Sequence, residues 1–247
     1  MKIPVFISVR LDSSRLPGKC LLSFGNKETV LSFVIKRSRF FKLDPIITTD
    51  KESYENGLKF LIKELNVNFF IGPKENKLKR WYRAANKFKI DIFHSVDADD
   101  PFFDAKRIRS SYDYLNENKK YDLIYPSHYS DSGGASEGFS INKKILRKFD
   151  LLSDDHDTSY ISSILNDNKF FEMPDPKYKR AQTRLTLDYL DDYIYLNKIS
   201  KRFNYDIERN VIEDFINDKG YLDNVYLNKV WKENQILQDN IIIKNIK

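Results

Sequence analysis

The stretch Arg10-Leu-Asp-Ser-Ser-Arg-Leu-Pro-Gly-Lys19 gathers two guanidinium groups, one ammonium and the hydroxyls of Ser13 and Ser14 into a short loop after an apolar run. Arginine forks grip phosphate oxygens in pairs, a lysine adds a point charge, and the backbone N–H groups of a tight loop complete an anion cradle. The chemistry such a loop serves is the holding of a triphosphate. Pro17-Gly18 is a turn signal that fixes the loop and lets its backbone approach a ligand closely. The spacing is neither that of a P-loop nor that of the dinucleotide fingerprint. By residue type alone, the same stretch also suits a solvated basic turn.

A second group is acidic. His94-Ser-Val-Asp-Ala-Asp-Asp-Pro101 closes another apolar run. In an extended segment Asp97 and Asp99 point the same way and Asp100 the other. Mg²⁺ takes hard oxygen ligands, commonly one or two carboxylates with substrate phosphates, so this cluster is a candidate metal site. Further on, Arg184-Leu-Thr-Leu-Asp188 alternates strictly, which sets Arg184, Thr186 and Asp188 on one face of a strand.

Residues Ile7–Lys19 resemble the nucleotide-binding signature of cytidylyltransferases of the 3-deoxy-manno-octulosonate and acylneuraminate type. They are closer still to the spore-coat polysaccharide cytidylyltransferase-like branch, with its Ala-Arg-x-x-Ser-x-Arg-Leu-Pro-Gly-Lys loop. Here Val9 replaces the opening Ala, while Arg10, Ser13, Arg15 and Lys19 fall on matching positions. Asp99-Asp-Pro101 resembles the family's Asp-(Cys or Glu)-Pro, and Arg184-Leu-Thr-Leu-Asp188 its Arg-Leu-Thr-x-Asp. The resemblance implies that Asp99 and Asp188 hold the catalytic Mg²⁺, with Asp97 within reach of the metal or the ribose. It implies that Arg10, Arg15 and Lys19 stabilise charge on the β,γ-phosphates as an acceptor oxygen attacks the α-phosphorus. Weaker likenesses place Thr49, Asp50, Gly72 and Arg80 near the nucleotide, and Glu137, His156 and Arg184 near the acceptor. His156 reads equally as a general base, an acceptor-orienting donor or part of a helix start.

The function implied is transfer of a nucleoside monophosphate, CMP from CTP being favoured, to a small anionic sugar-type acceptor. That acceptor would be a nonulosonic or octulosonic acid, a sugar phosphate or a phosphonate, used in surface polysaccharide synthesis. Two departures from the family stand out: Ser95 and Ile71 replace frequent arginines. They raise a second reading, a catalytically silent member. Asp97-Ala-Asp99 raises a third, because Asp-x-Asp is how A-type glycosyltransferases hold the metal of an NDP-sugar.

Short apolar runs at Ile3–Val9, Pro45–Thr49, Val67–Ile71, Ile90–Val96 and Asp122–Tyr125 must position these groups. They alternate with helical stretches near Thr29–Phe40, Tyr54–Leu65, Leu78–Lys87 and Ala105–Asn116. That rhythm predicts an α/β, Rossmann-like domain with a mainly parallel sheet and ligands at the strands' carboxyl ends. After Tyr125 the pattern predicts strands at Glu137–Ile141 and Thr183–Asp188. Helices are expected over Lys143–Lys148, Asp155–Leu165, Leu190–Phe203 and Asn210–Asn217. Residues 1–220 are read as one nucleotidyltransferase domain and 221–247 as an amphipathic tail. Aromatic-rich Tyr121–Tyr129 and Phe170–Tyr178 are candidate contacts of a homodimer.

Composition sets the bounds. With 42 basic and 36 acidic side chains the net charge is +6, too small and too spread for a nucleic-acid binder, yet favourable to an anionic small substrate. Cys20 is the single cysteine, so a disulfide framework and a thiolate metal site are both excluded. No run of residues is apolar for long enough to span a membrane, and the chain is read as cytoplasmic.

Overall fold

Ile3–Ser8 is almost continuously apolar because the strand it forms is covered on both faces: Val5 and Ile7 enter one core cluster and Phe6 another. The computed structural model describes residues 2–127, 137–158, 164, 169–179 and 185–219. Among them the strands are β1 (Ile3–Ser8), β2 (Ser23–Phe24), β3 (Glu28–Thr29), β4 (Leu43–Thr49), β5 (Asn68–Ile71), β6 (Ile92–Asp97), β7 (Leu123–Tyr125), β8 (Phe139–Asn142) and β9 (Phe170–Glu172). The α-helices are α1 (Val30–Phe40), α2 (Lys51–Ser53), α3 (Lys59–Glu64), α4 (Lys77–Phe88), α5 (Ala105–Glu117), α6 (Leu190–Arg202) and α7 (Arg209–Lys219). No described helix is long and apolar enough to cross a membrane.

Seven strands form one sheet in the order β5-β4-β1-β6-β8-β7-β9, while β2 and β3 pair separately as a small antiparallel ribbon. All strands of the large sheet run parallel except β8, which is antiparallel to β6 and β7. The chain builds outward from β1 to β4 and β5, then crosses back to β6 on the other side. This makes the carboxyl ends of β1 and β6 the switch point where an open α/β sheet accepts ligands. The register pairs Ser8 with Asp97, so the loops after β1 and β6 leave the sheet side by side. Two further bonds extend the ladder past the strands: Val9 N–H donates to Thr48 O (3.1 Å), and Ala98 N–H to Ser8 O (3.1 Å).

Three apolar layers fix the helices. Val5, Ile7 and Ile47 pack with Leu31, Val34 and Ile35 of α1 and with Ile108 and Leu115 of α5. On the opposite face Phe6 stacks on Phe93 at 4.1 Å, and Trp81 of α4 meets Phe93 edge-on. A third cluster, Phe24, Phe33, Phe102, Leu187, Leu196 and Ile212 among others, seats α6 and α7 on the outer side of α1. Four helices of the sheet's flanks begin with a side-chain cap. Thr29 and Ser32 form a capping box on α1, Asp50 caps α2, Asn76 caps α4 and Asp104 caps α5. Such caps contribute about 1 kcal/mol each.

Several expectations are corrected. The helix expected from Tyr54 begins at Lys51, because Asp50 caps it, and it loosens into a π-turn over Tyr54–Leu58 where Gly57 has φ 149°. The helix expected over Asp155–Leu165 is absent from 155–158, which form a turn and an irregular segment, and most of its remainder lies outside the described residues. Thr158 instead helps start α4: its hydroxyl accepts the Leu78 N–H at 3.0 Å and donates to Asn76 Oδ1 at 3.1 Å. Residues 185–188 join no sheet; alternation there reflects packing on the third cluster below and the acidic loop above. Phe170–Glu172 is the edge strand β9, with Phe171 stacked on Tyr114 and tilted against Tyr121. The tail, 221–247, lies outside the described residues.

Two residues at the β6–β8 junction carry measurable consequences. Gly138 has φ +67°, and a Cβ on it would lie 1.9 Å from the Ser95 carbonyl oxygen. Gly138→Ala is expected to cost at least about 2 kcal/mol, read as a fall of about 5 °C or more in melting temperature; an unchanged melting point would contradict this packing. His94 is buried between β6 and β8, with Nε2–H donating to Glu137 O (2.8 Å) and Nδ1 accepting from Ser140 Oγ (2.8 Å). Burial pushes its pKa down from 6.5 to about 4. The folded state therefore favours the neutral ring, so stability is full above pH 6.5 and is lost as pH falls toward 4. The loss should reach about 3 kcal/mol in denaturant titrations, and His94→Gln should flatten that part of the pH profile.

Candidate active site

Four side chains from three distant segments meet at the switch point. The loop after β1 closes on itself when Gly18 N–H donates to Leu11 O at 3.0 Å, and the left-handed φ of 66° at Gly18 turns the chain inward. This delivers Lys19 to a buried position at the start of a 3-10 turn, Lys19–Leu21. Its ammonium donates to Asp99, to Asp188 Oδ1 at 2.8 Å and to the Leu187 carbonyl at 2.8 Å. Arg15 donates to the same Asp188 oxygen at 2.7 Å and lies 5.5 Å over the Tyr189 ring. Lys19 is thus no solvated loop charge. Removing one partner of such a buried ion pair typically costs about 3–5 kcal/mol.

The acidic loop is a turn rather than an extended segment, since Asp100 N–H donates to Asp97 O at 3.1 Å. Its three carboxylates therefore go three ways. Asp99 faces Lys19, and Asp97 Oδ1 is held by Lys77 Nζ at 3.0 Å. Asp100 turns inward, its Oδ1 accepting from Thr186 Oγ1 at 2.6 Å. Burial alone would raise Asp99, but the charge and hydrogen bond of Lys19 outweigh it and hold this carboxylate below the usual range. Burial raises Asp100 well above that range, and the neighbouring charges of Asp99 and Asp97 push it further. Adjacent carboxyls are thus shifted in opposite directions, Asp99 down by Lys19 and Asp100 up by burial.

Arg10 lies at the rim, bonded to Glu75 Oε2 at 3.1 Å and near Asp12 at 3.4 Å. Lys74 joins the same rim through Asp12 (2.8 Å) and Glu52 (2.9 Å). Ser13 Oγ accepts the Leu16 N–H at 3.4 Å and shapes the loop. Thr49, Asp50 and Arg80 are buried beneath, with Gly72 half-buried beside them. Thr49 Oγ1 donates to Val9 O at 2.9 Å. Asp50 accepts from Ser53, whose hydroxyl in turn accepts the Leu11 N–H at 3.0 Å. Gly72 leaves room for Arg80, since a Cβ would come 2.8 Å from Arg80 Cγ. The Arg80 guanidinium donates to the carbonyls of Pro73 and Lys74 (3.0 Å for the latter) and so shapes the rim from below.

The acceptor-side residues are not gathered in the same way. Glu137 is buried, receiving Arg107 at 3.2 Å and the Ser127 N–H at 3.1 Å. His156 is exposed, on the segment that packs against the start of α4. Arg184 lies outside the described residues. Ser95 accepts the Phe139 N–H at 3.2 Å and belongs to the β6–β8 junction. Residue types and motifs did not reveal Lys77, whose Nζ sits 4.9 Å over the Trp81 ring and beside Asp97. The signal was its place one turn before Trp81 at the opening of α4.

Comparison with known proteins agrees with this architecture. A structure of a cytidylyltransferase from Leptospira borgpetersenii serovar Hardjo-bovis (strain JB197) superposes with a TM-score of 0.77 at 24% identity, covering 89% of this chain and 95% of that one. CMP:2-keto-3-deoxy-manno-octonic acid synthetase complexed with CTP superposes at 0.60, with 12% identity over 82% of this chain and 99% of the other. A Mycobacterium tuberculosis H37Rv protein, Rv0371c, in complex with manganese gives 0.55, with 15% identity over 80% and 99%. No curated protein matches the chain. The family model for cytidylyltransferases matches residues 5–232. With the sheet, the loop and the family match in agreement, the chain belongs to the cytidylyltransferase family and is a nucleotidyltransferase.

Proposed function

We propose that this protein transfers CMP from CTP to a small anionic sugar-type acceptor, releasing pyrophosphate, in a Mg²⁺-dependent reaction serving surface polysaccharide synthesis. The carrying observation is the convergence of Arg15 and Lys19 from the first loop on Asp99 and Asp188. The structural neighbour complexed with CTP favours that nucleotide. The acceptor class, a nonulosonic or octulosonic acid, a sugar phosphate or a phosphonate, follows from the likeness of the loop to the spore-coat branch. An assembly into homodimers is part of the same reading, with the aromatic segments around Tyr121 and Phe170 as contacts.

The residues fit a divalent metal. Among those described, no three His, Cys, Asp or Glu side chains form a ready cage, but Mg²⁺ commonly takes only one or two carboxylates and completes its shell with phosphates and water. Asp99 and Asp188 already share one cation, the Lys19 ammonium, as a stand-in. These two would hold Mg²⁺, which when bound would polarise the α-phosphoryl oxygen. The acceptor oxygen forms a bond to the α-phosphorus while the α–β bridging bond breaks and pyrophosphate leaves. Lys19, Arg15 and Arg10 neutralise charge on the β- and γ-phosphates, and the rigid loop aligns the chain of phosphates in line with the acceptor.

A coupled pyrophosphate-release assay over four NTPs and an acceptor panel tests the proposal: release is expected with CTP and Mg²⁺. Release of a nucleoside diphosphate from a sugar nucleotide would select a glycosyltransferase, and turnover with neither would select a silent member. Asp99→Asn and Asp188→Asn should each lower kcat by about 10²-fold or more, with the double variant no worse than about tenfold below either. Fully multiplicative losses would argue against one shared metal.

A further inference from the structure

The Lys19 ammonium occupies the place between two carboxylates where a divalent cation would bind. All three of its N–H donors are committed, to Asp99, Asp188 and the Leu187 carbonyl. The other cations of the loop rest on carboxylates too, Arg15 on Asp188 and Arg10 on Glu75. The site is therefore neutralised from within. A free divalent cation entering alone must either sit against the ammonium or expel it from its buried position and its three hydrogen bonds. A triphosphate entering alone must pull Lys19 away from both carboxylates, leaving Asp99 without its bonded ammonium and Asp188 held by Arg15 without it. Each cost is a withdrawn charge that loses a bonded partner.

We infer that Lys19 is a placeholder cation that makes metal and triphosphate bind as a coupled pair, through exchange of ion-pair partners. The carboxylates pass from Lys19 to the metal while Lys19 passes to the phosphates. The inference rests on the proposed nucleotidyl-transfer reading, and it makes an unusual demand on its central residue. Removing the lysine must weaken triphosphate binding yet strengthen binding of the bare metal.

The test is Mn²⁺ binding to the full chain without nucleotide, followed by electron paramagnetic resonance of the free ion. Wild type should bind Mn²⁺ weakly, and Lys19→Met should bind it at least ~10-fold more tightly, because a like charge within hydrogen-bonding distance has gone. Adding Asp99→Asn to Lys19→Met should abolish the gain. Equal or weaker Mn²⁺ binding by Lys19→Met overturns the inference. Should that variant fail to fold, the wild type decides through the Lys19 ammonium signal in nitrogen-15 spectra. It should stay in place with Mg²⁺ alone and move when α,β-methylene-CTP is added as well; movement with Mg²⁺ alone overturns the inference. Neither readout requires turnover. Failure of pyrophosphate release with every NTP would thus defeat the functional reading while leaving the metal measurement standing.

Discussion

Asp99 and Asp188 are both largely withdrawn from water, and two buried like charges in one small space are stable only if cations are held against them. The Lys19 ammonium meets that demand, and the surrounding structure follows from keeping it there. Gly18 must adopt a left-handed turn to bring it inward. Cys20, buried directly after it, is pushed up to about 12 by burial, with the nearby Asp99 charge acting in the same direction, so it packs as a neutral thiol and adds no charge. Burial and its acidic neighbours raise Asp100, while Lys19 holds Asp99 below the usual carboxylate range, so Asp99 is the more readily ionised of the two. Asp188 is steadied from behind, because Asp192 in the first turn of α6 accepts the N–H groups of Asp188 and Tyr189, both at 2.9 Å.

A second layer keeps the loop from drifting. Its contacts are local and buried: Thr49 on Val9, Ser53 between Asp50 and Leu11, Arg80 on the 73–74 backbone. Burial pushes Arg80 down to about 10 from its ordinary value, with Asp50 opposing the shift. Arg80 remains a buried cation, with Nη1 donating to two backbone carbonyls. The bonds of these residues shape the loop and the rim. A direct bond from a buried cation to a loop carbonyl transmits position better than an exposed charge pair, because exposed pairs are screened and entropically loose.

Much of this was legible in residue order. Alternation of apolar runs with amphipathic stretches led to a parallel α/β sheet, because strands covered on both faces must be apolar and crossovers between parallel strands need helices. The first loop stood out because Arg10, Arg15 and Lys19 gather beside Pro17-Gly18, and its resemblance to a nucleotide-binding signature separated it from a solvated basic turn. What escaped was of two kinds. Short elements such as β9 carry too few residues for periodicity to register, and their aromatic content resembles that of an exposed patch. At 185–188 the alternation was real but misread, since a segment packed between a core and a polar loop repeats every two residues without joining a sheet.

The amino-acid sequence by itself determined the strand–helix rhythm, the cationic loop and the two acidic segments, because each is encoded within a few neighbouring residues. Only the tertiary structure decided that Lys19 would lie buried between Asp99 and Asp188, that Asp97 would turn to Lys77, and that Asp100 would pair with Thr186. Those pairings join positions far apart in the chain, and which carboxylate meets which cation depends on where the β1 and β6 loops and the 185–188 segment converge. Charge is a property of a residue, but its partner and its protonation are set by distance and burial, and both exist only once the sheet has formed.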